Sequence, residues 1–325
     1  MKNLIMHMND TVKRHFVCRI VIVAFTLLAL FDFAVLAPAF QAVSEGAAVY
    51  AAQKIPAKAE QKSGVSGSVF SNDKASIDAS NMAEGYVLLK YTGGKSVPIK
   101  VQITKKGGEN YTYNLKSDGT VETFPLSVGD GDYTINIFEN VSGNKYALAF
   151  GKTVSVKLRH PFLPFMYSNQ YVKFSTSSEA AKQAASLVSG KATDLEKLDA
   201  VYQYVVKNFT YDKELAANAP TGYVPNVDAV LKSKKGICFD YAAVMSAMLR
   251  SQGIPCKLVI GYAGTVYHAW INVFIESVGW IDKAIYFDGD KFSLMDPTFA
   301  SSGNASPDIY KFIGDGSNYK VKYTD

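Results

Sequence analysis

The chain has 325 residues, of which 48% are hydrophobic and 19% charged, and its formal net charge at pH 7 is +5. This length and composition indicate about two folded domains and argue against a disordered or fibrous protein. The cationic excess is small and contains no run of lysine and arginine. Nucleic acid is therefore not expected as a partner.

The amino-terminal segment 1–51 is predicted to be a targeting sequence. Basic residues precede an apolar run over 20–40 that is interrupted by Asp32, and alanines follow it. This order is typical of an export signal peptide, while an uncleaved membrane anchor is the alternative, because the run is almost long enough to span a bilayer. A cleaved signal is favoured, since a carboxylate at membrane depth is costly. Both alternatives predict a secreted or cell-surface protein that contacts a membrane only through this segment.

Two cysteines remain once that segment is set aside, Cys238 and Cys256. A disulfide between them is disfavoured, because Cys238 is predicted to begin a helix and Cys256 to follow its far end. A helix of roughly fifteen residues is longer than about 20 Å, whereas bonded cysteines have Cα atoms about 4.4–6.8 Å apart. Cys256 is therefore predicted to be a buried apolar residue that opens a strand. Cys238 is predicted to be a free thiol, for which catalysis supplies a reason.

Residues 52–82 and 83–160 differ in pattern. The first range is rich in Ala, Lys, Ser and Gln without sustained apolar periodicity, and is predicted to be a flexible spacer. The second contains about seven short β-branched and aromatic runs separated by glycine-containing turns. This pattern is typical of an antiparallel β-sandwich of the Ig-like kind, for which a role in spacing or binding is expected.

The remaining segment, 161–325, is predicted to be α+β, with helices first and an antiparallel sheet afterwards. A helix is expected after the capping residues 176–179 and another from Thr193 or Asp194. A third helix is expected over 237–251 and stops at the sequence GIP. Strands are predicted over 257–263, 266–276, 280–287 and 291–295, with an edge strand over 319–323.

Cys238, His268 and Asp296 have, in that order, the residue types that a thiol nucleophile with an oriented base requires. The helix dipole and the free amides of a helix N-terminus stabilise a thiolate and an oxyanion. His268 would accept the thiol proton and return it to the leaving group, and Asp296 would orient the ring. Trp270 and Trp280 flank the histidine strand, where they either wall an apolar acyl channel or pack in the core.

Four sequence blocks resemble those of the transglutaminase-like superfamily of papain-like folds. They are GICFDYA at 236–242, GIP at 253–255, HAW at 268–270 and DPT at 296–298. The resemblance covers roughly residues 165–300 and implies a papain-like domain with a triad of Cys238, His268 and Asp296. It also implies that Tyr211 lies near the oxyanion. It implies no metal and no other cofactor.

The resemblance implies a cysteine-dependent acyl-transfer enzyme that attacks peptide or glutamine carboxamide carbonyls through a thioester. Interception of the thioester by an amine gives a transamidase, and interception by water gives a protease or amidase. The sequence leaves this choice open, with hydrolysis slightly favoured by analogy. The expected partner is a protein or peptide substrate, for instance at the cell surface. The alternative is a catalytically silent scaffold used for surface binding.

Overall fold

The structure, a computed structural model, describes five ranges of the chain, two of them by their backbone alone. These ranges are 67–276, 279–281, 285–287 (backbone), 292–294 (backbone) and 319–325. The predicted targeting segment 1–51 and the predicted triad residue Asp296 lie outside the described residues. Among the described helices, none combines the length and the hydropathy needed to cross a bilayer.

Two four-stranded antiparallel sheets form the amino-terminal part of the described chain. Their strands are β1 (Val69–Ser71), β2 (Ala75–Asp78), β3 (Tyr86–Tyr91), β4 (Ile99–Lys105), β5 (Asn110–Leu115), β6 (Glu122–Pro125), β7 (Gly131–Ser142) and β8 (Lys145–Val156). The strand orders are β1-β2-β3-β6 and β5-β4-β7-β8. Alternate residues of the strands are buried, as Ile99, Val101 and Ile103 are in β4. The buried residues of both sheets form one shared cluster.

Two details of the predicted β-region are corrected by these strands. Strands β1 and β2 lie within 52–82, the range predicted to be a flexible spacer. They are too short to show a sustained alternation, yet Ala75 and Ile77 are buried in the shared cluster. The last two of the predicted runs, KYALAFG at 145–151 and TVSVKL at 153–158, form one long strand, β8. Its pairing with β7 is irregular at two places.

The helices of the second part follow the predicted order. They are α1 (Glu179–Val188), α2 (Asp194–Asn208), α3 (Lys213–Asn218), α4 (Val227–Ser233) and α5 (Cys238–Ser251). Helix α2 begins in a reciprocal cap, whereas the capping box predicted at 176–179 is instead a single cap by Ser178. The Thr193 hydroxyl oxygen accepts the Glu196 N–H at 3.2 Å, and the Glu196 carboxylate accepts the Thr193 N–H at 2.9 Å. Ser178 caps α1 by accepting the N–H of Ala181 at 3.3 Å.

The strands of the second part form three sheets within the described residues. They are β9 (Thr210–Tyr211), β10 (Lys235–Gly236), β11 (Cys256–Ala263), β12 (Val266–Ile275), β13 (Gly279–Ile281), β14 (Ile285–Phe287), β15 (Phe292–Leu294) and β16 (Tyr319–Thr324). The main sheet is antiparallel with the order β13-β12-β11-β16, and β9 pairs with β10 and β14 with β15. The edge strand predicted over 319–323 is confirmed as β16. The strand predicted over 280–287 is instead two strands, β13 and β14.

Helix α5 packs on one face of the main sheet, and the alternation of the strands determines which side chains it meets. Ile260 and Ala269 are paired residues that belong to the same buried cluster as α5. Val259 and Trp270, also paired, belong to a separate cluster with Tyr319 on the other face. Each fully buried Val, Leu or Ile of such a core contributes about 1.5–3 kcal/mol.

The far end of α5 is joined to both parts of the chain through buried polar groups. The guanidinium of Arg250 donates to the carbonyl oxygens of Cys256 and Tyr167 at 2.8 Å and to that of Asp325 at 2.7 Å. The carboxylate of Asp325 accepts the hydroxyl of Tyr113, on β5, at 2.8 Å. Burial lowers the pKa of Arg250 to about 10 and raises the pKa of Asp325 to about 7. This junction fastens the amino-terminal sheets to the helix that begins with Cys238.

Candidate active site

The two cysteines occupy opposite environments. Cys238 is the first residue of α5, is half-buried, and packs at the edge of the cluster that surrounds the helix. Cys256 opens β11, where it is fully buried beside the Ser246 hydroxyl at 3.3 Å. Burial raises the pKa of the Cys256 thiol to about 11. Both thiols are free, so the prediction that they form no disulfide is confirmed.

A buried carboxylate holds the first turn of α5. One oxygen of Asp240 accepts the Ile237 N–H at 2.8 Å, and the other accepts the hydroxyl of Tyr223 at 2.7 Å. Burial raises the pKa of Asp240. Gly236 allows this arrangement, because a Cβ added there would lie 2.6 Å from the Cβ of Asp240. Sequence reasoning missed Asp240, although a carboxylate three residues after the residue preceding a helix is a capping signal.

Tyr211 is placed beside the nucleophile helix by the short parallel pair of β9 and β10. Tyr211 is the register partner of Gly236, two residues before Cys238. The N–H of Asp212 donates to the carbonyl of Gly236 at 2.8 Å, which fixes the pairing. Tyr211 and Cys238 pack against the same buried cluster. The place near the oxyanion that the resemblance implies for Tyr211 stays a prediction.

His268 lies near the start of β12 and is 5% exposed. Its ring is nearly parallel to that of Trp270, with ring centroids 6.3 Å apart, and lies 6.4 Å from that of Tyr319. Gly261 is its partner on β11, and a Cβ on this glycine would come within 2.9 Å of Trp270. The imidazole therefore belongs to the sheet face that carries Trp270.

The residue that precedes His268 on β12, Tyr267, lies on the opposite face of the sheet. Alternation along the strand puts Tyr267 and Ala269 on the face that packs against α5. The pKa of Tyr267 is raised by burial first and then by surrounding groups that include Cys238. Tyr267, and not His268, therefore lies on the face that packs against the helix of Cys238. A relay from Cys238 through His268 remains a proposal.

The two tryptophans have different surroundings, and the structure favours core packing for both. Trp270 is 1% exposed in its cluster, and its indole N–H has no hydrogen-bond partner within the described residues. Trp280 packs edge-on against Phe162 with centroids 5.6 Å apart and pairs with Phe274. Because Phe274 is six strand positions beyond His268, Trp280 lies about 20 Å further along the sheet. Trp280 is therefore half-buried among aromatic rings at the end of the sheet remote from His268, which does not support a role in an acyl channel.

The fold and the site define a class of protein, in which a free cysteine begins a helix packed on an antiparallel sheet. Residues 181–283 match the family model described as the transglutaminase-like superfamily. This region is therefore a transglutaminase-like domain. The matched region contains Cys238 and His268 and ends before Asp296. Within the described ranges, no three His, Cys, Asp or Glu side chains lie close enough together to hold a metal ion.

Relatives with curated descriptions share about a quarter of the aligned residues. The uncharacterized protein YebA of Bacillus subtilis is 26% identical over 191 residues, which cover 52% of this chain and 26% of YebA. The human kyphoscoliosis peptidase is 25% identical over 177 residues, which cover 53% of this chain and 26% of that protein. The chain thus spans about a quarter of the length of these relatives.

Solved structures show a weaker likeness. A protein of Cytophaga hutchinsonii, described as a candidate cysteine protease, aligns over 79% of this chain and 73% of its own with 13% identity and a TM-score of 0.36. A crystal structure described as a TGase aligns over 37% of this chain and 30% of its own with 23% identity and a TM-score of 0.26.

Proposed function

We propose that this protein is a cysteine-dependent acyl-transfer enzyme in which Cys238 attacks the carbonyl carbon of a peptide bond or a glutamine carboxamide. The observation that supports this proposal is a free, half-buried thiol at the first residue of α5, inside the region that matches the transglutaminase-like superfamily. The free amides and dipole of a helix N-terminus favour a thiolate and can hold the oxyanion that forms in the attack.

The reaction proceeds by two transfers of the acyl group. The sulfur of Cys238 forms a bond to the carbonyl carbon while His268 takes the thiol proton. The C–N bond then breaks, the amine leaves with the proton from His268, and a thioester remains. Water or a second amine attacks the thioester, gives a proton to His268, and regenerates the thiol. Asp296 orients the imidazole in this scheme, and Tyr211 lies by the oxyanion.

A labelling experiment tests whether Cys238 is activated. Iodoacetamide is applied at about pH 6–7, and the alkylated cysteines are located by mass spectrometry. Cys238 is expected to react and the buried Cys256 to remain unmodified in the same molecule, as an internal control. A Cys238→Ala variant should lose the label and keep its fold. An unlabelled Cys238 in the native protein would remove the proposed activity.

The acceptor of the acyl group is decided by a second assay. The protein is incubated with a glutamine-containing peptide and a fluorescent amine. Incorporation of the amine indicates transamidation, whereas cleavage or deamidation without incorporation indicates hydrolysis. We propose hydrolysis of the thioester rather than transamidation, by analogy with the superfamily alone.

A catalytically silent scaffold is the second candidate, and one observation favours it. Alternation along β12 directs Tyr267, not His268, toward the face on which α5 packs. Replacement of His268 by Gln separates the two candidates through the pH profile of Cys238 alkylation. A base that shares a proton with the thiol is expected to shift this profile when it is replaced, whereas an uncoupled imidazole leaves it unchanged.

We further propose that the protein acts outside the cytoplasm on protein or peptide substrates, with its two amino-terminal sheets forming a β-sandwich that spaces or binds. The apolar run over 20–40 and its basic flank support export. The cluster shared by the two sheets supports the sandwich. Amino-terminal sequencing of the protein recovered from the culture medium and from membranes tests export. Retention of the intact chain in the cytoplasm would contradict it.

A further inference from the structure

Exposed apolar side chains concentrate at one end of the main sheet. Within the described residues, four of the nine exposed large hydrophobic side chains lie on β16 or at the facing ends of β11 and β12. They are Tyr262, Val266, Tyr267 and Val321. Tyr262 and Tyr267 lie on the face where α5 packs, whereas Val266, paired with Ala263, and Val321, paired with Gly261, lie on the other face. Exposed aromatic rings side by side on one face are typical of a surface that binds a ligand.

Three tyrosines of this region form what we call the tyrosine wall: Tyr262, Tyr267 and Tyr323. Tyr262 and Tyr267 are directly opposite each other on β11 and β12, with ring centroids 5.5 Å apart at an interplanar angle of 65°. Tyr323 is the β16 partner of Ile260. Because Ile260 belongs to the cluster around α5, strand alternation puts all three tyrosines on the face where α5 packs.

The tyrosine wall lies at the end of the sheet nearest the first turn of α5. Strand β11 begins at Cys256, beside Ser246 of the helix, and a short connection turns it back along α5, so that the end with Tyr262 lies at the level of Cys238. Tyr323 and Cys238 pack against the same buried cluster. The pKa of Tyr267 is raised by burial first and then by the charges of Tyr323, Tyr262, Cys238 and Asp325. At the same time Tyr267 is 56% exposed and Tyr262 38% exposed. Their rings are thus open to a ligand that approaches the thiol.

Two lysines add positive charge to the same place. Lys320 is exposed and is the register partner of Tyr262, so it projects on the same face as the wall. The ammonium nitrogen of Lys322 lies 5.4 Å from the ring centroid of Tyr323. Neither lysine forms an ion pair with another described residue. The carboxyl of Asp325 is buried and bonded to Tyr113, so it pairs with neither lysine.

We propose that the tyrosine wall and these two lysines form the docking surface for the acyl donor. The donor is a polypeptide segment with an aromatic or large aliphatic side chain next to the reactive carbonyl and a carboxylate beside that side chain. The inference rests on the proposed function, because a surface beside Cys238 selects a substrate only if Cys238 attacks it. Planar rings bury apolar area with little loss of conformational entropy, and ammonium groups favour carboxylates.

The test uses three synthetic heptapeptides with a central glutamine. One contains Phe and Asp beside the glutamine, one replaces the Phe by Ser, and one replaces the Asp by Lys. The measured quantity is the peptide concentration that halves the rate at which iodoacetamide alkylates Cys238. The Phe and Asp peptide is expected to protect at a concentration about tenfold lower than the Ser peptide.

Matched variants locate the selectivity. Tyr267→Ser is expected to reduce the preference for Phe to less than about twofold, and Lys320→Glu to reverse the preference for Asp over Lys. Tyr146→Ser and Lys145→Glu, both on β8, are the controls and should leave both preferences unchanged. Circular dichroism spectra and melting temperatures establish that each variant folds.

The outcomes separate this inference from the function on which it rests. If iodoacetamide fails to label Cys238, both the docking surface and the proposed acyl-transfer activity are overturned. If Cys238 is labelled but all three peptides protect equally, the docking surface is overturned and the proposed activity stands. The docking surface is also overturned if the β8 controls alter the preferences as much as the variants of Tyr267 and Lys320.

Discussion

The two ends of helix α5 contain similar chemical groups in contrasting environments. At the first turn, Cys238 is half-buried and Asp240 bonds to the backbone and to Tyr223. Beyond the last turn, Cys256 is fully buried, and Asp325 bonds to Tyr113 beside Arg250. Each end thus has a cysteine, a buried carboxylate and a tyrosine hydroxyl that donates to it.

From this contrast we infer that solvent access and position on the helix determine whether a cysteine or carboxyl group reacts or stabilises the fold. A thiol at the open N-terminus is available to an electrophile and is supported by free amides. A thiol in the closed end behaves as a small apolar side chain, and burial raises its pKa to about 11. We therefore expect chemistry at one end and stability at the other. The following predictions test that division.

The largest expected effect is the loss of reaction when the open thiol is removed. Cys238→Ala should reduce formation of the acyl-enzyme by at least about a thousandfold, because no other nucleophile takes its place. The melting temperature should remain close to that of the native protein. Cys256→Ala is the matched control and should keep the activity while losing about 1–2 kcal/mol of unfolding free energy. Equal activity in the two variants would contradict the expectation that the reaction takes place at the Cys238 end of the helix.

The largest effect on stability is expected at the closed end. Arg250→Met removes the donor to three buried carbonyl oxygens, and should lower the free energy of unfolding by about 3–5 kcal/mol. Urea unfolding followed by circular dichroism measures this change. Lys232→Met, at an exposed position of α4, should change it by less than about 0.5 kcal/mol. A loss below about 1 kcal/mol in Arg250→Met would show that water replaces the missing donor.

The carboxyl of Asp325 should make stability depend on pH. Its pKa is raised from 3.8 to about 7 in the folded chain, mainly by burial, so the folded state holds the proton more tightly than the unfolded state. The resulting stabilisation is complete below about pH 4 and is lost as the pH rises through about 7, by at most about 4 kcal/mol. Asp325→Asn retains an acceptor for Tyr113 and cannot ionise.

The measurement for Asp325 is the difference in unfolding free energy between the native protein and Asp325→Asn at about pH 5, 6, 7 and 8. This difference removes contributions from other groups with raised pKa values, such as Asp240. We expect the native protein to lose stability relative to the variant as the pH rises. A difference that stays constant over this range would show that the Asp325 carboxyl is already ionised in the fold.

The smallest expected effect is at the open end. Tyr223→Phe removes one hydrogen bond to Asp240 and should lower the free energy of unfolding by about 0.5–1.5 kcal/mol. Tyr146→Phe, on β8, should change it by less than about 0.5 kcal/mol. If Tyr223→Phe lowered the free energy of unfolding as much as Arg250→Met does, the hydrogen bonds at both ends of the helix would contribute equally to stability.

Features that depend on neighbouring residues were predictable from the sequence. Thr193 and Glu196 are three residues apart, and their reciprocal cap follows from that spacing alone. The separation of Cys238 and Cys256 follows from the length of the helix between them. The edge strand β16 follows from a short aromatic and β-branched run.

Features that depend on distant residues were not predictable in the same way. The bond between Tyr113 and Asp325 joins residues 212 positions apart, and no local pattern encodes it. Trp280 stands near His268 in the sequence, yet its partner Phe274 lies at the other end of β12. Strand β2 is recognised only by the cluster in which Ala75 and Ile77 are buried, and β1 by its pairing with β2. Asp296 lies outside the described residues, so its place in the triad stays a prediction.

The short segment 319–325 has a consequence for any shortened form of the protein. Its strand pairs with β11, and its last residue exchanges two backbone hydrogen bonds with Leu258 at 2.7 and 2.8 Å. A proteolytic cut that released this segment would leave an edge of β11 bare, remove Tyr323 from beside the thiol, and deprive Arg250 of one acceptor. Loss of this segment would therefore weaken the proposed substrate selection and loosen the helix core together.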